Sequence, residues 1–183
     1  MVILFLANGF EEIEALTPAD VLRRAGIDVL TVGIGGRTVL GAHGIAVTAD
    51  TDDAHLPEAA PEMVILPGGM PGASNLDASP VVDAVLTRAT RDGAFLAAIC
   101  AAPMVLGHRG YLRGKQATCF PGFEEHLTGA QLVAGPCAVR DGNVITATGM
   151  GVALEFALTL VEALRDAETA KKLRASLMCR GGN

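Results

Sequence analysis

Short apolar runs alternate along the chain with stretches whose apolar positions recur every three or four residues. Val2 to Ala7, Val29 to Val32, Met63 to Leu66, Phe95 to Ile99 and Val144 to Ala147 are such runs, and they predict buried strands. Between them, Glu12 to Ala25 carries Ile13, Leu16, Val21, Leu22 and Ala25 at near-helical spacing. Val81 to Ala89 and Val152 to Leu164 follow the same rhythm. Strands alternating with helices predict an α/β fold with a parallel central sheet covered on both faces. Arg140-Asp141-Gly142-Asn143 is a turn signal, so the segment around Val133 to Ala147 is expected to add an antiparallel hairpin. No repeat, low-complexity linker or composition break divides residues 1–183, which are expected to form a single domain.

Composition narrows the partners. Half the residues are apolar, 19% are charged and the formal net charge is -6, which argues against a nucleic-acid footprint and for small molecules. No apolar stretch reaches the roughly 18 residues of a bilayer span. Met1 to Leu6 lacks a basic flank and leads into acidic residues, unlike a signal peptide, so the expected location is the cytoplasm. Cys100, Cys119, Cys137 and Cys179 have no paired metal-ligand spacing, and a reducing compartment would keep them as thiols. Gly33, Gly35 and Gly36 punctuate a loop without the strand-to-helix dinucleotide fingerprint. Neither a metal nor a cofactor is expected.

Candidate chemistry concentrates where strands end, as it does in open α/β sheets. In Phe95-Leu96-Ala97-Ala98-Ile99-Cys100-Ala101-Ala102-Pro103 a strand pattern ends on a cysteine and small residues then open a helix. A cysteine on such a turn projects its sulfur from the sheet, and N–H groups at the helix start favour thiolate. A core cysteine behaving as a small hydrophobe is the competing reading. After the first strand, Asn8 and Glu11 fit a capping box and Glu12 fits the helix dipole. Glu14 lies one turn beyond Glu11, close to the apolar face, where an unpaired carboxylate is costly. Beside a thiolate, a protonated Glu14 would donate a hydrogen bond to sulfur, lower the cysteine pKa and shuttle protons, while a solvated face is the alternative. Pro67-Gly68-Gly69 is either a tight turn or a backbone that approaches substrate, with the Gly69 and Ala101 N–H groups forming an oxyanion hole.

The chain resembles the DJ-1/ThiJ/PfpI superfamily over nearly its whole length. The resemblance rests on Glu11-Glu12-Ile13-Glu14, Asp20 to Gly26, Val64-Ile65-Leu66-Pro67-Gly68-Gly69, Ala98 to Pro103, and Gly149-Met150-Gly151 before Glu155-Phe156-Ala157. It implies a flavodoxin-like three-layer sandwich, a homodimer, Cys100 as nucleophile or redox centre, Glu14 as its partner, and Gly69 with Ala101 as backbone donors. Protease-like members carry histidine after the nucleophile; here Ala101 stands there, which argues against a Cys-His protease. Animal DJ-1 proteins place histidine before a proline; Phe120 in Cys119-Phe120-Pro121-Gly122 looks instead like the bacterial DJ-1-like branch, and leaves proton handling to Glu14. The resemblance puts the Cys119 loop near Cys100, making Cys119 the candidate second reactive thiol. It also turns His43 toward the dimer interface and the partner's Cys100 crevice, with an ordinary surface-turn histidine as the alternative. His55, His108 and His126 are expected at the surface.

Two functions follow as expectations. One is a cofactor-independent enzyme of the glyoxalase or deglycase type, in which Cys100 adds to the aldehyde of a 2-oxoaldehyde such as methylglyoxal and Glu14 relays the proton. The other is a redox-sensing protective protein or chaperone whose Cys100 is oxidised to sulfinic acid with little turnover.

Overall fold

The computed structural model describes residues 1–135 and 137–179. The chain opens with β1 (Val2–Leu6), α1 (Glu12–Arg24), β2 (Val29–Gly33), the short strands β3 (Thr38–Leu40), β4 (Ala46–Thr48) and β5 (Thr51–Asp52), and β6 (Met63–Leu66). Next come α2 (Gly72–Asp77), α3 (Pro80–Arg91), β7 (Phe95–Ile99) and α4 (Pro103–His108). The remainder is β8 (Gln116–Ala117), β9 (Gln131–Leu132), β10 (Ala138–Asp141), β11 (Val144–Ala147), α5 (Ala153–Leu164) and α6 (Ala167–Ser176).

Seven strands form one sheet in the order β10-β11-β7-β6-β1-β2-β5, parallel except for the β10–β11 hairpin. Alternate residues of each buried strand serve opposite layers. Val2, Leu4, Met63, Ile65 and Ile99 pack with α1 and α5, whereas Ile3, Phe5, Val64, Leu66 and Ala98 pack with α2, α3 and α4. Both faces are therefore dry, which explains the unbroken apolar runs: each fully buried Leu or Ile contributes roughly 1.5–3 kcal/mol that a solvated face would forgo. The result is the three-layer, flavodoxin-like arrangement. Short polar contacts mark the helix starts: the Ser79 hydroxyl accepts from the Val82 N–H at 3.4 Å, with Pro80 opening α3, and Asp166 accepts from Thr169 at 2.7 Å.

β1 lies between β2 and β6, so the chain winds outward from it in two directions. The gap between the diverging connections lies beyond the carboxyl ends of β1 and β6, where such sheets bind ligands. Two local expectations need correction there. Asn8 forms no capping box: its side-chain oxygen accepts from the Leu40 N–H at 2.9 Å, and Glu11 at the N-cap makes no side-chain cap bond. The longer-range contact wins because it satisfies the incoming 38–45 segment. Nor does a helix start at Cys100. Ala101 and Ala102 separate it from α4 (Pro103–His108), and that helix is only six residues long, so its dipole is not what surrounds the sulfur.

Candidate active site

β7 delivers Cys100 to the carboxyl edge of the sheet and then turns sharply. Cys100 adopts φ +66°, a left-handed conformation that costs a non-glycine residue roughly 1–3 kcal/mol. Its backbone is tied on both sides: its N–H donates to Ala147 at 2.9 Å, and its carbonyl accepts from Phe120 at 2.8 Å. The residue is 7% exposed, and the Gly69 and Ala101 N–H groups are directed at its sulfur. Gly69 has φ +83°, and a Cβ there would stand 2.4 Å from the Glu11 nitrogen, so only glycine lets this turn close over the start of α1.

Glu14 is fully buried on the inner face of α1. Its Oε2 accepts from the Gly68 N–H at 3.0 Å, while Oε1 is buried without a hydrogen-bond partner. A Cβ on Gly68 would lie 2.6 Å from both Cys100 Cβ and Glu14 Oε2, so the missing side chain makes the approach of thiol and carboxyl feasible. Burial drives the Glu14 carboxyl up to about 7 against the opposing hydrogen bonds with Cys100 and Gly68. Burial, and then the Glu14 charge, push the Cys100 thiol up to about 12, with Gly69 and Ala101 acting the other way. A thiol lowered in isolation is thus not what this site contains. The two groups form one acid pair: ionised Glu14 holds the proton on sulfur, and protonated Glu14 withdraws that repulsion and becomes a donor to sulfur.

The remaining acidic residues do more than decorate the helix. Glu12 is buried, and its Oε1 accepts from the backbone N–H groups of His43 at 2.9 Å and Ile45 at 3.4 Å. Its Oε2 meets His43 Nδ1 at 2.9 Å. Burial pushes the Glu12 carboxyl up, but these hydrogen bonds outweigh it and hold the group at about 2. His43 itself is drawn upward by the Glu12 hydrogen bond and the nearby Glu11 and Glu12 charges. Within its own chain, then, His43 belongs to the Glu11–Glu12 pair, with an exposed ring.

The structure brings Cys100, Glu14, Gly69 and Ala101 together. Cys119 is placed beside them through the adjoining Phe120. It is buried, and burial followed by the Glu124 charge pushes its thiol up to about 11. Cys119, Phe120, Glu124, Leu132, Gly149 and Met150 are among the residues that line a cavity of about 580 Å³. A Cβ on Gly149 would stand 3.1 Å from Phe120 Cδ2 and 3.9 Å from Glu14 Oε1, which links that cavity to the unpartnered carboxyl oxygen. Gly149 and Met150 entered the sequence reading only as family markers, and nothing in local spacing assigns them to the site. His55 and His108 are exposed, as expected, and His126 is half-buried; the last two are linked, with Asp77 Oδ2 meeting His108 Nδ1 at 2.8 Å and His108 Nε2 meeting His126 Nδ1 at 3.0 Å.

Comparison with known proteins agrees with this fold. The DJ-1/PfpI family model matches residues 1–163. The Parkinson disease protein 7 homolog of Danio rerio is 39% identical over 181 residues, covering 96% of this chain and 95% of that protein. The glutathione-independent glyoxalase DJR-1.2 of Caenorhabditis elegans is 34% identical over 172 residues, covering 93% and 91%. Against DJ-1 homolog B of Arabidopsis thaliana the match is 35% over 181 residues, 98% of this chain but 41% of that protein, so the chain spans less than half of that relative. A mutant of a DJ-1 superfamily protein from Salmonella typhimurium superposes with a TM-score of 0.92 at 34% identity, covering 98% of each chain. Eukaryotic sequences stand beside this bacterial structure, so the narrower bacterial placement suggested by Phe120 receives no support from them. Among the described residues, no helix is long and apolar enough to cross a membrane.

Proposed function

Because the chain belongs to the DJ-1/PfpI family, we propose that it is a cysteine-dependent, glutathione-independent enzyme acting on small 2-oxoaldehydes or their adducts. One observation carries the reading: a strained, backbone-tied Cys100 faces a fully buried Glu14 whose carboxyl titrates near neutrality. Proton-transfer groups are most effective when their pKa lies near the working pH. The likeness to a named glyoxalase supports the same class of chemistry.

The Cys100 sulfur adds to the aldehyde carbon, and the aldehyde oxygen is received by the Gly69 and Ala101 N–H groups and takes a proton from Glu14. Ionised Glu14 then removes the hydrogen from that carbon as a proton and returns it to the adjacent carbon, while the hydroxyl formed from the aldehyde oxygen gives up its proton and the ketone oxygen takes one, so that the ketone becomes a hydroxyl and the aldehyde carbon a carbonyl. This internal redox exchange leaves a thioester of the 2-hydroxy acid on Cys100. Water cleaves the thioester, releasing the acid and restoring the thiol, so the net change is addition of one water. The reading has the protein working in the cytoplasm, where thiols stay reduced. It also takes a homodimer as the working form, which suits the exposed Ile13, Leu16, Leu40 and Ile45 on and beside α1.

The second reading, a redox-responsive protein, is favoured by the same backbone donors, which would bind a sulfinate oxygen on Cys100. The two separate in one experiment. Methylglyoxal is supplied without glutathione, and 2-hydroxy acid is measured for wild type, Cys100→Ser and Glu14→Gln. The enzyme reading expects steady turnover in wild type and at least a hundredfold loss in both variants. Absence of turnover in wild type, with clean peroxide conversion of Cys100 to sulfinate, would favour the second reading.

A further inference from the structure

Resting on the enzyme reading above, the geometry points to a substrate class for Cys100: 2-oxoaldehydes whose ketone carbon bears an extended, uncharged apolar substituent, held in the cavity that Phe120 and Gly149 help to line. That cavity measures about 580 Å³ and has Phe120, Leu132, Val133, Met150 and Val152 in its walls. Small-molecule sites span roughly 300–1,000 Å³ and are mostly apolar with a few placed polar groups. The methyl group of methylglyoxal would leave nearly all of this space to water. An apolar wall gains most when an apolar group displaces that water.

The buried carboxyl sets the direction of the substituent. Glu14 Oε2 is taken by the Gly68 N–H at 3.0 Å, whereas Oε1, in a side chain with no exposed surface, has no hydrogen-bond partner. Oε1 is therefore the oxygen free to exchange protons with the ketone carbon, and that carbon has to sit against it. A Cβ on Gly149 would stand 3.9 Å from Oε1 and 3.1 Å from Phe120 Cδ2, so the missing side chain leaves a gap between the carboxyl and the cavity wall. Phe120 is fixed from the other side, its N–H donating to the Cys100 carbonyl at 2.8 Å. With the aldehyde carbon on sulfur and the ketone carbon at Oε1, the remaining substituent of the ketone carbon faces the gap between Gly149 and Phe120.

Charge narrows the class further. Among the described lining residues only Glu124 is charged, and its Oε2 accepts from the Gly122 N–H at 2.7 Å. A substituent ending in a carboxylate or phosphate would meet this charge with no lysine or arginine in the lining to answer it. The Thr148 hydroxyl is committed to Cys137, accepting from its N–H at 3.1 Å and donating to its carbonyl at 3.4 Å, so it offers little to a polar substituent. None of the lining residues belongs to α1 or to residues 38–48, where the proposed dimer would form.

The test measures kcat/KM of the full chain for methyl-, n-propyl- and n-pentylglyoxal without glutathione, a series whose reacting carbons are chemically alike. Even one methylene in an apolar pocket is worth roughly tenfold or more in specificity, so n-pentylglyoxal should exceed methylglyoxal at least tenfold. An analogue of n-pentylglyoxal ending in a carboxylate should fall at least tenfold below it, and Glu124→Gln should recover part of that loss. Leu132 is exposed, so Leu132→Glu keeps the fold while placing a carboxylate in the cavity wall. It should cut the n-pentyl-to-methyl ratio at least fivefold, whereas general damage would lower both substrates alike. Turnover of methylglyoxal with no gain along the series would sink the substrate assignment and leave the enzyme reading standing. A gain that Leu132→Glu leaves intact would do the same. No turnover of any glyoxal would sink the enzyme reading, and the assignment with it.

Discussion

The Gly68 N–H donates to Glu14 Oε2 at 3.0 Å, so the turn after β6, and not the helix alone, fixes the carboxyl beside Cys100. Gly68 is among the residues without positive φ, and alanine is conformationally acceptable there. What alanine lacks is room, since its Cβ would press on Cys100 Cβ, Glu14 Oε2 and the Ile99 carbonyl at 2.6, 2.6 and 2.9 Å. Gly68→Ala should therefore cost roughly 1–3 kcal/mol by urea unfolding, the range for overpacked sites. Alkylation of Cys100 by iodoacetamide should slow at least tenfold. Unchanged stability and reactivity would mean that the acid pair is not held this tightly.

Glu14 also sets a pH dependence of stability. Its carboxyl rises from 4.5 to about 7 on folding, so the native chain binds this proton more tightly than the unfolded chain does. The contribution is complete below about pH 4.5 and is lost as pH rises through 7, amounting to on the order of 3 kcal/mol at most. Glu14→Gln cannot ionise. The difference between wild-type and Glu14→Gln urea stabilities should move in favour of the variant from pH 5 to pH 9. A difference that stays flat across this window would show that Glu14 does not carry the raised pKa.

The strands were the most legible part of the chain, because burial on both faces leaves an unbroken apolar run that tertiary context has no need to override. Met63 to Leu66, Phe95 to Ile99 and Val144 to Ala147 are observed with the bounds read from the sequence. The short strands β3 and β5 and the six-residue helix α2 were not legible, since each is held by what it packs against rather than by its own periodicity. At the site, local pattern located Cys100 and Glu14, but their relation depends on Gly68, which contributes through an absent side chain. The Glu12–His43 pairing is invisible for a different reason: 31 residues separate the partners, and a carboxylate at a helix start already has a sufficient local explanation.

Arg109 joins three helices on the face opposite α1. Its guanidinium donates to Asp77 Oδ1 at 2.6 Å, the Asp77 carbonyl at 2.8 Å, Asp83 Oδ1 at 2.9 Å and the Val105 carbonyl at 3.0 Å, with only 14% of the side chain exposed. Asp77 is itself partly shielded and also holds His108, so removing the cation leaves a carboxylate with one partner fewer. Arg109→Ala is expected to lose roughly 2–3 kcal/mol in urea unfolding, below the full cost of a wholly buried pair because Asp83 remains wet. A loss under about 0.5 kcal/mol would reduce the network to an ordinary surface ion pair.

The pairing of Cys100 with Glu14 predicts a two-step alkylation profile. Glu14 titrates at about 7 and Cys100 at about 12 when Glu14 is ionised, but the first proton lost belongs to the pair and not to one residue. The singly ionised pair contains some of the form with the proton on Glu14 and the charge on sulfur, and only that form reacts with iodoacetamide. Wild-type alkylation should rise through pH 7, hold level from about pH 8 to 10, and rise again as the second proton leaves. Glu14→Gln removes the carboxylate charge and the sharing, so its profile should collapse to one step with its midpoint below 12. Iodoacetamide rates from pH 5 to pH 11.5, with the label located by peptide mass spectrometry, distinguish the cases. A single wild-type step near the free-thiol value of about 8.5 would mean that Glu14 and Cys100 titrate independently, and with it the proton relay between them would fail.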